Sequence, residues 1–318
     1  MMRATEGGAL LPDAYGRDLL AELPILARVA DVTTRVLFDL DSGDMQPANW
    51  IEIARAVHGA LSDDSCDGIV VVHGTDTMAY AASAVALLLG ALPKPVVFTG
   101  AQRPLTEPRT DARANLVDAV LAATLPIAEV SIVFASRVLR GVRSIKLDAR
   151  GLSAFDSPRC PPLAELGVDV QLGRHVRRPG PLARFDPRIE PSVLAVRVFP
   201  GLNPKWVQGA VRAGVRGLVL EAYGTGNLPH LSGSLIPALD EARARDVAVV
   251  VVSQCPRGAV DMRRYAGGAA AAAAGAISGG DMTIEAAIAK TMIGLARYDD
   301  SNQLRAWLET DVAGERED

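Results

Sequence analysis

The chain has 318 residues, of which 49% are hydrophobic and 22% charged. That is a globular, core-forming composition with room for one large domain or two of ordinary size. A net charge of −4 carries no basic excess, so the electrostatic footprint expected of a nucleic-acid binder is missing.

In chain order, the opening Met1 to Gly8 has no apolar signal core, and no run of about 18 unbroken apolar residues comes after it that could span a membrane. A soluble, cytoplasmic protein is expected. Asp18 to Ala30 reads as helix, Val32 to Phe38 as extended, and Pro47 to Leu61 as helix with Pro47 in its first turn. Then come a strand at Gly68–Val72, a helix to Leu89, a strand at Pro95–Phe98, a helix at Asp111–Ala123 and a strand at Val130–Ala135. Strands without polar alternation, separated by helices, imply a parallel sheet with helices on both faces. Residues 171–191, rich in proline and arginine with no apolar period, read as a linker. The alternation then restarts with strand Val193–Val198, helix Pro204–Ala213, strand Gly217–Leu220, helix Ser234–Arg245, strand Val247–Val252 and a final helix Thr283–Arg297. The alanine run at 266–276 reads as one more helix. The fold expected is α/β: a larger N-terminal domain over 1–170 and a smaller C-terminal domain over 192–318.

Three strand ends carry chemistry, and ligands bind at the carboxyl ends of strands in such sheets. His73-Gly74-Thr75-Asp76-Thr77 puts a hydroxyl and a carboxylate where a buried strand turns into a helix. For an isolated Thr-Asp pair, helix capping and the helix dipole are a sufficient explanation. Thr99-Gly100-Ala101-Gln102-Arg103-Pro104-Leu105 comes after another strand, and Gln102 could contact a polar substrate or satisfy loop backbone. Lys146, in Arg143-Ser144-Ile145-Lys146, is a surface lysine by default. Beside a hydroxyl and a carboxylate, it could instead take a proton.

Other chemistries find no support. Cys66, Cys160 and Cys255 are too scattered for disulfides or a metal cluster, and His58, His73, His175 and His230 lack metal-ligand spacing. No metal or other cofactor is expected. Cys255 reads as a buried structural thiol. Tyr223-Gly224-Thr225-Gly226-Asn227 lacks the lysine-serine pair of a phosphate loop, and no Gly-x-Ser-x-Gly elbow occurs.

Together, Val70 to Tyr80, Phe98 to Leu105, Asp111 to Leu116, Ala154 to Pro158, Pro161 to Glu165, Phe199 to Gly201, Ser253 to Cys255 and Ile277 to Thr283 resemble the bacterial-type L-asparaginases, in particular the cytoplasmic type I branch. The resemblance implies hydrolysis of L-asparagine, with L-glutamine as a second substrate, through a threonine acyl-enzyme in a homodimer or homotetramer. By the same resemblance, Thr75, Asp76 and Lys146 form a relay with Lys146 as proton acceptor. Asp76 also binds the substrate's α-ammonium, and Ser42 holds its α-carboxylate with Gly43 offering backbone only. Ala101 holds the side-chain amide through its carbonyl, and Asn227 reaches a neighbouring subunit's site.

The family opens with a buried strand ending in Thr-Gly-Gly-Thr-Ile, whose first threonine is catalytic. Here the segment Met2 to Pro12 matches the stretch just beyond that motif, Thr5 is a poor substitute, and no tyrosine precedes Pro12; Tyr15 is the nearest. Two expectations compete: a start placed at an internal methionine, which is favoured, or a paralogue that binds aspartate or asparagine without turnover. The chain as written is expected to be poorly active and poorly stable. The related transfer-RNA amidotransferase subunit, which releases ammonia from glutamine, is the remaining enzyme alternative. Its extra amino-terminal domain has no counterpart in this sequence.

Overall fold

Apolar runs of four to six residues become strands wherever helices cover them, and the computed structural model shows this twice along the chain. It describes residues 2–4, 10–12 and 23–317. Strands β1 (Met2–Ala4) and β2 (Leu10–Pro12) pair antiparallel. By internal contacts the chain divides into Met1–Pro187 and Arg188–Asp318.

In the first unit, helix α1 (Pro47–Leu61) leads to β3 (Ile69–Val72), α2 (Met78–Leu89), β4 (Val96–Thr99), α3 (Ala112–Ala122) and β5 (Val130–Phe134). β3, β4 and β5 run parallel. The sheet then continues antiparallel through β6 (Arg137–Arg140), β9 (Ala164–Leu166) and β10 (Val170–Leu172). Between them, β7 (Ile145–Lys146) and β8 (Phe155–Asp156) form a separate antiparallel pair. Every residue of β4 and β5 is buried, as required of strands covered on both faces. One face packs Val97 and Val133 against Ala119 and Ala122 of α3. Among the described residues β3 lies at the sheet's edge, and Val72 is 45% exposed.

Three segments differ from the sequence expectation. Of Asp18 to Ala30, residues 18–22 lie outside the described ones, and Pro24–Arg28 is a 3₁₀ turn rather than an α-helix. Residues 31–41 form no strand. They run along the surface, with Val36 52% exposed, and without a described strand beside them their backbone has no ladder to join. β6, β9 and β10 turn the sheet antiparallel because the direct β5–β6 connection is a two-residue turn, Ala135 and Ser136, both at positive φ; so tight a reversal cannot make a parallel crossover. Residues 173–187 are irregular and tied to the first unit. Gly180 N donates to Leu92 O at 2.9 Å, Arg177 N to Glu129 Oε1 at 2.7 Å, and Phe185 stacks on His58.

The second unit is a four-stranded parallel sheet in the order β11 (Val193–Arg197), β12 (Gly217–Ala222), β13 (Ala248–Ser253) and β14 (Ile277–Ser278). Helices α4 (Pro204–Arg212), α5 (Ile236–Ala244) and α6 (Ala266–Ala273) connect the strands, and α7 (Ile284–Arg297) comes after them. Alternate residues of β12 and β13 divide between two cores. Leu218, Leu220, Val249 and Val251 pack with α4 and α5, while Val219, Val250 and Val252 pack with α7. One further helix, α8 (Ser301–Glu309), had no place in the sequence reading; Asp300 caps it by accepting from Asn302 N and Gln303 N. A buried ion pair holds the turn beyond it: Lys290 Nζ lies 2.6 Å from Glu315 Oε1, both side chains fully buried.

Candidate active site

Two glycines bring three loops together. β3 and β4 end side by side, His73 N donating to Thr99 O at 2.8 Å. A Cβ on Gly100 would stand 2.2 Å from His73 O, and one on Gly74 would stand 2.6 Å from Ser42 Oγ. Only glycine allows approaches this close. The short 3₁₀ turn Ser42–Asp44 therefore lies against the end of β3. Thr77 fastens it there, donating its hydroxyl to Ser42 O at 2.8 Å. Ser42 is buried, and Gly43 N donates to Asp41 Oδ1 at 2.8 Å.

Neither threonine hydroxyl caps α2. Thr75 Oγ1 accepts from Lys146 Nζ at 2.8 Å and donates to Gln102 Oε1 at 3.1 Å. Lys146 Nζ also donates to Asp76 Oδ1 at 2.6 Å. The Asp76 side chain is 68% exposed and that of Lys146 20% exposed, so the carboxylate faces solvent and the amine is mostly covered. β7 delivers Lys146 from 70 residues along the chain, its strand register with Phe155 fixing where the side chain starts. The structure thus brings Thr75, Asp76 and Lys146 into one hydrogen-bonded set.

Beneath this set the loop after β4 is clamped by two residues of the Asp111 to Leu116 segment to which the sequence reading gave no role. Asp111 accepts from Gln102 N and Arg103 N, both at 3.0 Å. Asn115 donates to Gly100 O at 2.9 Å and to Asp111 Oδ2 at 3.1 Å, and accepts from Ala135 N at 3.1 Å. Both side chains are buried. Their i, i+4 spacing at a helix start was the available signal. Ala101 lies half-buried within the clamped loop. His73 is buried too, and desolvation pushes its pKa down against the pull of Gly74 O. Since a carbonyl only accepts, Nδ1 carries the hydrogen that meets Gly74 O at 2.7 Å.

A half-buried lysine held on a hydroxyl and a carboxylate at strand ends is an arrangement for moving a proton to and from an attacking oxygen. The amino-terminal family model for asparaginases matches residues 1–178, and the model for the glutaminase/asparaginase C-terminal domain matches 192–308. The chain belongs to the asparaginase family. It is 39% identical to L-asparaginase 1 of Escherichia coli over 99% of this chain and 94% of that protein. It is 36% identical to a glutamyl-tRNA(Gln) amidotransferase subunit of Methanothermobacter thermautotrophicus over 97% of this chain and 72% of that one. The solved structure of the thermostable L-asparaginase from Thermococcus kodakarensis superposes with a TM-score of 0.90 at 37% identity, covering 100% of this chain and 96% of that one.

Two further expectations concern residues of the second unit. Asn227 belongs to the second unit, on a turn closed by Tyr223 N to Asn227 O at 3.1 Å and Asn227 N to Tyr223 O at 2.9 Å. Its Oδ1 is buried with no partner among the described residues. Cys255 is exposed rather than buried, because it sits just past the end of β13, where the chain leaves the sheet. Thr5 and Tyr15 lie outside the described residues. None of the described residues forms a metal-binding cluster, and none of their helices is long and apolar enough to cross a membrane.

Proposed function

We propose that this protein hydrolyses the side-chain amide of L-asparagine to L-aspartate and ammonia. The observation that carries the reading is the contact of Lys146 Nζ with both Thr75 Oγ1 and Asp76 Oδ1. In this reading Thr75, Asp76 and Lys146 are a catalytic relay. For attack, the Thr75 hydrogen turns from Gln102 Oε1 to Lys146 Nζ, which accepts it as the hydroxyl oxygen attacks the amide carbon, and the proton passes on to the departing nitrogen so that ammonia leaves. Water, deprotonated by the same amine, then cleaves the acyl ester, regenerating the hydroxyl and releasing aspartate. In this reading backbone N–H donors stabilise the developing oxyanion.

The substrate's two ends are assigned to the same strand ends. Asp76 accepts the α-ammonium, Ser42 and the Gly43 backbone hold the α-carboxylate, and the Ala101 carbonyl holds the amide. Asn227 completes a neighbouring subunit's site, in a cytoplasmic homodimer or homotetramer built from domains over 1–170 and 192–318 joined by 171–191. Glutamine is the second substrate class, since a relative at 36% identity carries an amidotransferase name. The test is ammonia release from L-asparagine alongside calorimetric binding of L-aspartate. Wild type is expected to release ammonia, slowly in the chain as written, and Thr75→Val and Lys146→Met each to lower kcat by roughly 10²–10⁴-fold while aspartate still binds. Aspartate binding with no ammonia from wild type would make the protein a silent amino-acid binder.

A further inference from the structure

Gln102 makes two side-chain contacts that together close a ring through the relay. Its Nε2 donates to Gly151 O at 3.3 Å, and its Oε1 accepts from Thr75 Oγ1 at 3.1 Å. The first contact fixes the amide's orientation, because a carbonyl cannot donate and must face the NH₂ group. Thr75 therefore spends its only hydrogen on Gln102 and offers a lone pair to Lys146 Nζ at 2.8 Å. Gly151 is itself held in a tight turn, with Asp148 Oδ1 accepting from Arg150 N at 2.7 Å and from Gly151 N at 2.9 Å. That turn begins just after Lys146. The ring thus runs from Thr75 through Gln102 to Gly151, back along the chain to Lys146, and across to Thr75.

We infer that Gln102 is a positioning residue for the relay: it fixes the Thr75 oxygen and the Lys146 segment against each other. The inference rests on the proposed amide hydrolysis only where activity is read. Its backbone N on Asp111 Oδ2 at 3.0 Å anchors the brace to the clamped loop. Without the side chain, Thr75 keeps only Lys146 as a partner and can turn about its Cα–Cβ bond. The loss would fall on the chemical step, where a misplaced oxygen is costly, and spare ground-state binding, to which Gln102 contributes no assigned contact.

The experiment compares wild type, Gln102→Met and Gln102→Glu. Three readouts are taken: melting temperature, kcat and KM for L-asparagine, and NMR titration of ¹³C-lysine protein, which the four lysines of the chain (Lys94, Lys146, Lys205 and Lys290) make simple to assign. Gln102→Met is expected to melt near wild type, lose about tenfold to hundredfold in kcat and keep KM within about threefold. Gln102→Glu adds an anion to those already near the amine (Asp76, with Asp148 and Asp111 behind the brace). Lys146 should then titrate roughly one pH unit higher than in wild type, and the acid limb of the rate profile should move the same way. Unchanged kcat and KM in the first variant, with unchanged Lys146 titration in the second, would overturn the inference. If wild type releases no ammonia, the proposed function fails by itself. The titration, which needs no turnover, still decides the role of Gln102.

Discussion

At the scale of single residues, the groups that hold the site are more deeply buried than the groups that act in it. Asp76 looks into solvent, whereas Asn115 is 2% exposed and satisfies one carbonyl, one carboxylate and one N–H from three separate segments. Asn115→Leu leaves the buried Gly100 carbonyl without this donor, removes one of the two bonds to Asp111 Oδ2, and frees Ala135 N at the exposed turn. At about 1–3 kcal/mol for each buried group left unmade, and some relaxation, a loss of about 2–4 kcal/mol is expected. The urea midpoint at constant slope measures it, and a loss under about 1 kcal/mol would show that water takes the vacated places. Much of this layer was invisible in the sequence. Thr75-Asp76 stood out because the apolar period changes from strand to helix on either side of it, and Lys146 because of its hydroxyl-rich surroundings. Asp111 and Asn115 are common helix-start residues, and nothing in their types says that they hold a loop rather than cap a helix. Which of its two candidate roles Gln102 plays was equally unreadable; its side chain meets loop backbone at Gly151 O and, beyond either role, the Thr75 hydroxyl.

At the scale of elements, apolar runs located β3, β4, β5, α2 and the first three strands of the second unit to within two residues, since each run is continuous between turn residues; the two-residue β14 was not read as a strand. What failed was the polar and edge structure. Antiparallel β6, β9 and β10 contain charged residues: Arg137 and Arg140 pair with Asp156 and Glu129, while Glu165 is exposed. The α8 helix depends on a cap and on two residues, Leu304 and Leu308, buried in the core that α7 also lines. The junction of β3 and β4 offers the sharpest test at this scale. Gly100→Ala places a methyl 2.2 Å from a backbone oxygen, and backbone cannot swing aside as a side chain can. The two strand ends must part, so a loss of roughly 1–3 kcal/mol and near-complete loss of ammonia release are expected. An alanine variant with wild-type melting temperature and rate would show that the two loops are not tied together there.

At the scale of the whole molecule, two buried titratable groups act in the same direction. Burial pushes the Glu315 carboxyl up, but the Lys290 charge and hydrogen bond and the Ala313 N–H outweigh it, so it lies below the usual carboxylate range. His73, desolvated, lies below the ordinary imidazole value. For both, the unfolded chain takes up a proton before the folded one does, so stability is lost on acidification. The loss begins below about pH 6.5 for the imidazole and continues through the carboxylate range. Urea midpoints taken from about pH 8 to pH 4 should fall steadily. Glu315→Gln should start about 3–5 kcal/mol lower, with Lys290 left buried and unpaired, and should show a flatter acid limb. An acid limb as steep as that of wild type would assign the proton uptake to other groups. The separation of 71 residues between Thr75 and Lys146 has a consequence in time rather than energy. Closing so long a loop is slow beside helix formation or collapse, and β7 can be placed only after β4 and β5 have found their neighbours. During refolding, the return of turnover should therefore trail the burial of Trp50, which is 6% exposed on α1. The interval between the two signals is a clock for the assembly of the first sheet.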